Sequence, residues 1–115
     1  MRLLTAAVSC LMMAASQPAL AAWAVAQSNN DQPYSQRFRL EGVAREDSMN
    51  ACSQHYPNCR IVVSGGSGCV AIATTGSQWG VAKAGSRSRA HDAALGICEG
   101  LNAGACKIEY EFCGQ

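Results

Sequence analysis

The chain has 115 residues, nine Lys plus Arg against eight Asp plus Glu, seven cysteines and a formal net charge of +1. A length of this order predicts one domain. The near-neutral balance argues against nucleic acid, whose phosphates favour a basic face, and gives no reason to expect attraction to anionic lipid.

Met1 and Arg2 form a short positive end, and Leu3 to Ala15 is an apolar run of signal-peptide length. Pro18 breaks it, and Ala19-Leu20-Ala21 supplies the small-x-small pattern that signal peptidase reads. Residues 1–21 are therefore expected to be a signal peptide, with 22–115 a single duplicated domain exported to the periplasm or secreted. No later segment approaches the roughly 20 apolar residues of a membrane span, so no anchoring is expected after cleavage. Cys10 sits inside the apolar run with more apolar residues behind it, which argues against lipidation.

Six cysteines follow: Cys52, Cys59, Cys69, Cys98, Cys106 and Cys113. An even number behind a signal peptide predicts three disulfides formed in an oxidising compartment, although count alone does not choose the pairing.

Ala22 to Gln27 reads as an apolar strand and Ser28 to Gln32, before Pro33, as a polar turn. Tyr34 to Leu40 alternates as a second strand, with Tyr34, Gln36, Phe38 and Leu40 on one face. Ala44 to His55 is expected to be a helix with Ala44, Ser48, Ala51 and Cys52 along its inner side, ended before Pro57. Cys59 to Ser64 is a third strand whose Ile61 and Val63 share a face. Gly65 to Gly68 predicts a tight hairpin-like turn, after which Cys69 to Thr74 and Trp79 to Ala84 restart the series. Ser88 is the expected N-cap of a second helix, whose inner stripe is Ala90, Ala94, Ile97, Cys98 and Leu101. Lys107 to Phe112 closes the chain, with Ile108, Tyr110 and Phe112 on one face and Lys107, Glu109 and Glu111 on the other.

Strand, strand, helix, cysteine, strand thus occurs twice, over about 22–66 and 67–115. The predicted fold is a small α+β domain, disulfide-stapled, built from two such repeats with mostly antiparallel sheet. Cys52 and Cys98 are equivalent in the two copies, as are Cys59 and Cys106. The economical pairing is Cys52 with Cys59, Cys98 with Cys106, and the remaining Cys69 with Cys113.

The apolar strand near Trp23 and its repeat at Val70 to Ala73, Ser88-Arg89-Ala90 followed by Ala93-Ala94-Leu95 and Cys98, and the recurring later cysteine resemble a bacterial family catalogued as domain of unknown function 4189. The second copy matches it well; in the first, Ser48, Met49 and Asn50 replace the alanine-rich run. The resemblance implies an exported, disulfide-bonded fold and carries over no catalytic residue.

His55 follows Cys52 at helical spacing, a thiol–imidazole pairing that nucleophilic catalysis would use. A disulfide at Cys52 removes the thiolate, and His55 stands where the other copy has Leu101, so a packing role is expected. His91 is expected to be a solvated histidine. Neither metal nor cofactor is expected: the cysteine spacing does not suit zinc, and Gly65 to Gly68 lacks a phosphate loop's Gly-Lys-Ser/Thr ending and following helix.

Lys83, Arg87, Arg89 and His91 form a candidate anion-binding edge at the start of helix two, but the expected reading is a solvated basic edge balanced by Glu109 and Glu111. Tyr34, Phe38, Trp23 and Trp79 form a candidate partner surface wherever they prove exposed; packing is the expected role of the two tryptophans. The function these features favour is a non-enzymatic binding or inhibitor module acting on another envelope or secreted protein, with the Ser28 to Pro33 turn as the first candidate contact. An envelope structural or stress-related component comes second and a small periplasmic enzyme last.

Overall fold

In a computed structural model of the chain, residues 22–101 and 104–114 are described. The expected signal peptide, its cleavage site and Cys10 lie outside them. The elements run β1 (Ala22–Gln27), β2 (Tyr34–Arg39), α1 (Glu41–Ser53), β3 (Arg60–Gly65), β4 (Cys69–Thr74), β5 (Trp79–Ala84), α2 (Arg87–Glu99) and β6 (Lys107–Cys113). They build two antiparallel three-stranded sheets, ordered β2-β1-β3 and β5-β4-β6. The chain is a small α+β domain stapled by three disulfides.

Each sheet is centred on its copy's first strand, and every residue of β1 and β4 is buried. The two faces of these strands differ in side-chain size. Trp23 and Val25 of β1 meet Val70 and Ile72 of β4, with Phe112, in a cluster between the sheets. On the opposite face Cys69, Ala71 and Ala73 pack against Ala90, Ala94 and Cys98 of α2. The alternation of β1 turns Ala24 and Ala26 to α1, which buries Ala44, Ser48 and Cys52. Layers therefore run helix, sheet, sheet, helix. Small side chains let each helix lie close to its sheet, while large ones fill the roughly 10 Å between sheets; each fully buried large apolar side chain contributes about 1.5–3 kcal/mol.

Gly80 shows how close the helix lies. A Cβ there would stand 2.9 Å from the Cys98 nitrogen and 3.1 Å from the Ala94 carbonyl oxygen. The missing side chain lets α2 settle onto the β5 edge.

Cys52 joins Cys59, Cys98 joins Cys106 and Cys69 joins Cys113. The first two tie a helix end to the strand that follows it. The third closes 44 residues between β4 and β6; in the chain-entropy account such a loop is worth about 4 kcal/mol, and a loop of eight residues about 2.5.

Several local expectations are corrected. Helix α1 begins at Glu41 and ends at Ser53. The N-cap of α2 is Ser86, not Ser88: its side chain accepts from the Arg89 N–H, the first turn being set two residues earlier than the alanine stripe suggests. Gly65 to Gly68 is no hairpin, because β3 and β4 belong to different sheets. Bulges divide faces predicted to be continuous. Val63 pairs with Val25 but Ile61 with Ala26, and Tyr110 pairs with Ile72 but Ile108 with Ala73. Hence Ile61 and Ile108 share the helix-side face, while Val63, Tyr110 and Phe112 share the face between the sheets. The two bulges fall at the same place in the two copies. Ile97, predicted to be buried, is 47% exposed on the edge of α2.

Gly80→Ala is expected to destabilise by about 1–3 kcal/mol through overpacking, measured by denaturant unfolding. Gly96→Ala, inside α2 with open space where its Cβ would go, should stabilise by about 0.5–1 kcal/mol.

Candidate functional site

Superposing the copies by their strand registers sets Val25 over Ile72 and Val63 over Tyr110. On the hairpin side it sets Ser35 over Val81 and Gln36 over Ala82. Arg37 then falls where the other copy has Lys83. Both cations lie between the sheets, each against an aromatic ring of the other copy. The Arg37 guanidinium carbon is 4.5 Å from the Phe112 ring centre, and Lys83 Nζ is 5.2 Å from that of Trp23. Arg37 donates to the Tyr110 hydroxyl at 3.1 Å, and Lys83 to the Ser64 carbonyl at 3.3 Å. Such contacts are worth about 0.5–2 kcal/mol each. Together they tie the two sheets to each other once on each side of the sandwich.

This arrangement divides the predicted basic edge. Lys83 points between the sheets, away from α2. Arg87 reaches Glu111 Oε1 at 3.2 Å and His91 stands 3.6 Å from Glu111 Oε2, so these two converge on a carboxylate instead of leaving an open anion site. Arg89 is exposed at the helix start. Glu111, predicted to face water, alternates with Tyr110 and Phe112 and so lies on the face that α2 covers. The first copy has the same bracing: Ser64 Oγ donates to Glu41 and accepts from Arg45. His91 is accordingly half-buried, not a free solvated side chain.

The four predicted aromatics also separate. Trp23 is 1% exposed and packs edge-on against Phe112 at 5.7 Å, which removes it from any partner surface. Trp79 is half-buried at the edge of β5. Tyr34 stacks on His55 at 5.2 Å and lies 6.4 Å from Tyr56. His55 is exposed, because α1 ends before it, and it flanks Tyr34 instead of filling a core position. The Ser28 to Pro33 turn is tied to the second copy: the Asn30 carbonyl accepts from the Trp79 N–H at 3.0 Å, and Gln27 Nε2 donates to the Trp79 carbonyl at 3.1 Å.

What remains open is the junction of β2 and α1. Pairing along β1 passes from Gln36 to Arg39, leaving Arg37 and Phe38 as a bulge. Phe38 takes a left-handed conformation, φ 61°, and is 68% exposed. A bulky side chain rarely adopts that backbone state. Its ring lies 4.6 Å from the Arg37 guanidinium carbon, so one cation is held between Phe38 and Phe112. Leu40 and Val43 follow, both exposed, and Tyr110 completes the edge. Arg37 and Tyr110 were not singled out in the sequence; the equivalence of Arg37 with Lys83 is visible only once the bulge is known.

A family model described as Domain of unknown function (DUF4189) matches residues 20–113. The chain belongs to this family. No curated protein matches it and no solved structure does. In this DUF4189 chain all six cysteines among the described residues are bonded to one another, so Cys52 offers His55 no thiolate. Among the described residues no group of three or more His, Cys, Asp or Glu side chains is placed to hold a metal ion, and no helix is long and apolar enough to cross a membrane.

The Tyr34 phenol is pushed above its ordinary value of 10.0, first by its partly buried setting and second by the charge on Tyr56. Since the unfolded chain ionises first, the contribution is intact below that value and is lost as pH rises through the folded pKa. Ultraviolet titration of phenolate should resolve one late-ionising tyrosine that disappears in Tyr34→Phe.

Proposed function

We propose that this DUF4189 chain is a non-enzymatic, exported binding module that recognises a folded protein through the β2–α1 junction, with Phe38 as the anchor. Three disulfides support an extracellular or periplasmic setting. One observation carries the choice of surface: two exposed apolar side chains stand where the second copy has polar ones, and a third, Phe38, has no counterpart there. Leu40, the α1 N-cap residue, corresponds to Ser86, and Val43 to Arg89; Phe38 lies in a bulge that β5 lacks. Helix α1 has no side-chain cap, so the fold gives up a cap worth about 0.5–2 kcal/mol at this point. Apolar residues retained at a cost to stability mark a surface used for recognition.

The ring is also preorganised. Arg37 holds Phe38 from one side, which lowers the ordering cost of presenting it to a pocket. Three side chains fall well short of the roughly 800 Å² per partner of a standard interface. That favours an anchor entering a pocket of a different protein over a symmetric dimer closed on this patch alone.

A photo-crosslinking phenylalanine analogue at position 38 should trap one discrete partner in the envelope or secreted fraction of the producing cell. The analogue at position 89, the counterpart of Val43, should trap none. Labelling at neither position, or adducts only with a second copy of the chain, would overturn the reading. Leu40→Ser should raise stability by about 0.5–2 kcal/mol by restoring the missing cap, measured by denaturant unfolding, while weakening partner capture.

A further inference from the structure

We propose a second binding site, independent of the Phe38 surface: the cleft between β3 and β5 takes the C-terminus of an extended peptide with an apolar last residue. The peptide adds to the free edge of β5, and Arg60 receives its carboxylate.

The cleft has a volume of about 300 Å³ and is walled by both copies, Arg60 to Val62 on one side and Trp79 to Val81 on the other, with Ile97 at its rim. That is the lower end of the roughly 300–1,000 Å³ of small-ligand sites, enough for one side chain and its peptide unit. Strands β3 and β5 each pair on one side only. The Trp79 N–H and carbonyl both point away from β4, since Asn30 and Gln27 bond them. Outward-pointing residues alternate along an antiparallel strand. The N–H and carbonyl of Val81 therefore also point outward, into the cleft, and no backbone bond outside the ladder engages them among the described residues. One donor and one acceptor on a single residue are what an added strand requires.

The rest of the lining fits the end of such a strand. Val62, Val81 and Ile97 offer apolar contact to one side chain. Ile97 reaches the rim because Gly80 lets α2 close onto β5, with Ile97 Cγ2 3.0 Å from the position a Cβ would take. Arg60 is exposed, and no carboxylate among the described residues pairs with it; a guanidinium accepts a carboxylate through two parallel hydrogen bonds. Buried Gln27, whose amide nitrogen is committed to the Asp31 and Trp79 carbonyls, closes one end. On the β2–β6 side Arg37 lies between the rings of Phe38 and Phe112.

The test uses the disulfide-bonded protein and the peptide acetyl-Gly-Ser-Val-Leu with a free carboxylate, followed by amide chemical shifts. Shifts should centre on Gly80 to Ala82 and on Arg60. The C-terminal amide of the peptide, and a version N-methylated at its last peptide bond, should each bind about tenfold or more weakly, about 1.4 kcal/mol. Arg60→Gln should weaken the acid to the level of the amide and leave the amide unchanged. Equal binding of acid and amide, shifts centred on the β2–α1 junction, or no shift at millimolar peptide would each overturn the proposal. Neither the trapping at position 38 nor its failure bears on this result.

Discussion

The architecture depends on two strands buried on both faces. β1 and β4 carry alanine on the side of their helix and Trp, Val or Ile on the other. A strand of this kind has no solvent face to rest on water, so each needs a helix on one side and a sheet on the other. Neither copy can provide both covers: its own helix closes the alanine face, and the other copy's sheet is the nearest apolar surface for the rest. The duplication is thus a requirement of the core, and the two halves are expected to lose their structure together. The disulfides between helix end and strand fasten each half, and Cys69–Cys113 fixes the outer strand on which Phe112 reaches the common core.

On this frame the reciprocal cation–ring contacts specify how the sheets sit on each other. Apolar side chains between sheets are tolerant of sliding, whereas a guanidinium or ammonium held over a ring and bonded to one oxygen is not. Arg37 and Lys83 occupy equivalent positions and reach across in opposite directions, so the contact is made once on each side of the sandwich. The same pair explains why the edges have different fates. On one side the Arg37 bulge pushes Phe38 outward; on the other no bulge forms, and β5 runs straight with a free edge beside β3.

Element order, the helix-side alanines and three disulfides were legible in the sequence, because they follow from strong local patterns: period-two burial, small residues at helical spacing and an even cysteine count. The misread strand faces were of one kind. A bulge shifts alternation by one residue, and nothing in Ile61-Val62-Val63 or Ile108-Glu109-Tyr110 announces it, since each run still alternates acceptably on either register. From that single omission follow the wrong faces for Ile61 and Ile108; the water-facing expectation for Glu111 has a separate cause, since α2 covers the face opposite Tyr110 and Phe112. The basic edge is balanced by Glu111, as expected, but it does not hold together as one group. Lys83, Arg87, Arg89 and His91 are near one another in sequence, but strand alternation sends Lys83 to the opposite side of the sheet from α2, and Glu111 takes up two of the others. Exposed Phe38 looked like a regular strand residue until the bulge placed it.

Internal duplication supplies a control that a single-copy fold lacks. Where the two halves share a feature, such as the bulge on the last strand or the polar bracing of helix start to outer strand, the fold itself is a sufficient reason for it. Where they differ, one half demonstrates what the fold tolerates and the other what it does not require. Ser86 caps α2 and Leu40 leaves α1 uncapped, although the backbone at Leu40 is already extended, φ −64° and ψ 146°, as a capping residue needs. A capping side chain was therefore available to this position without any change of backbone. On the proposed reading, the apolar residue there, next to a strained and exposed phenylalanine, is accounted for by a partner it meets outside the chain, since it supplies no cap inside it.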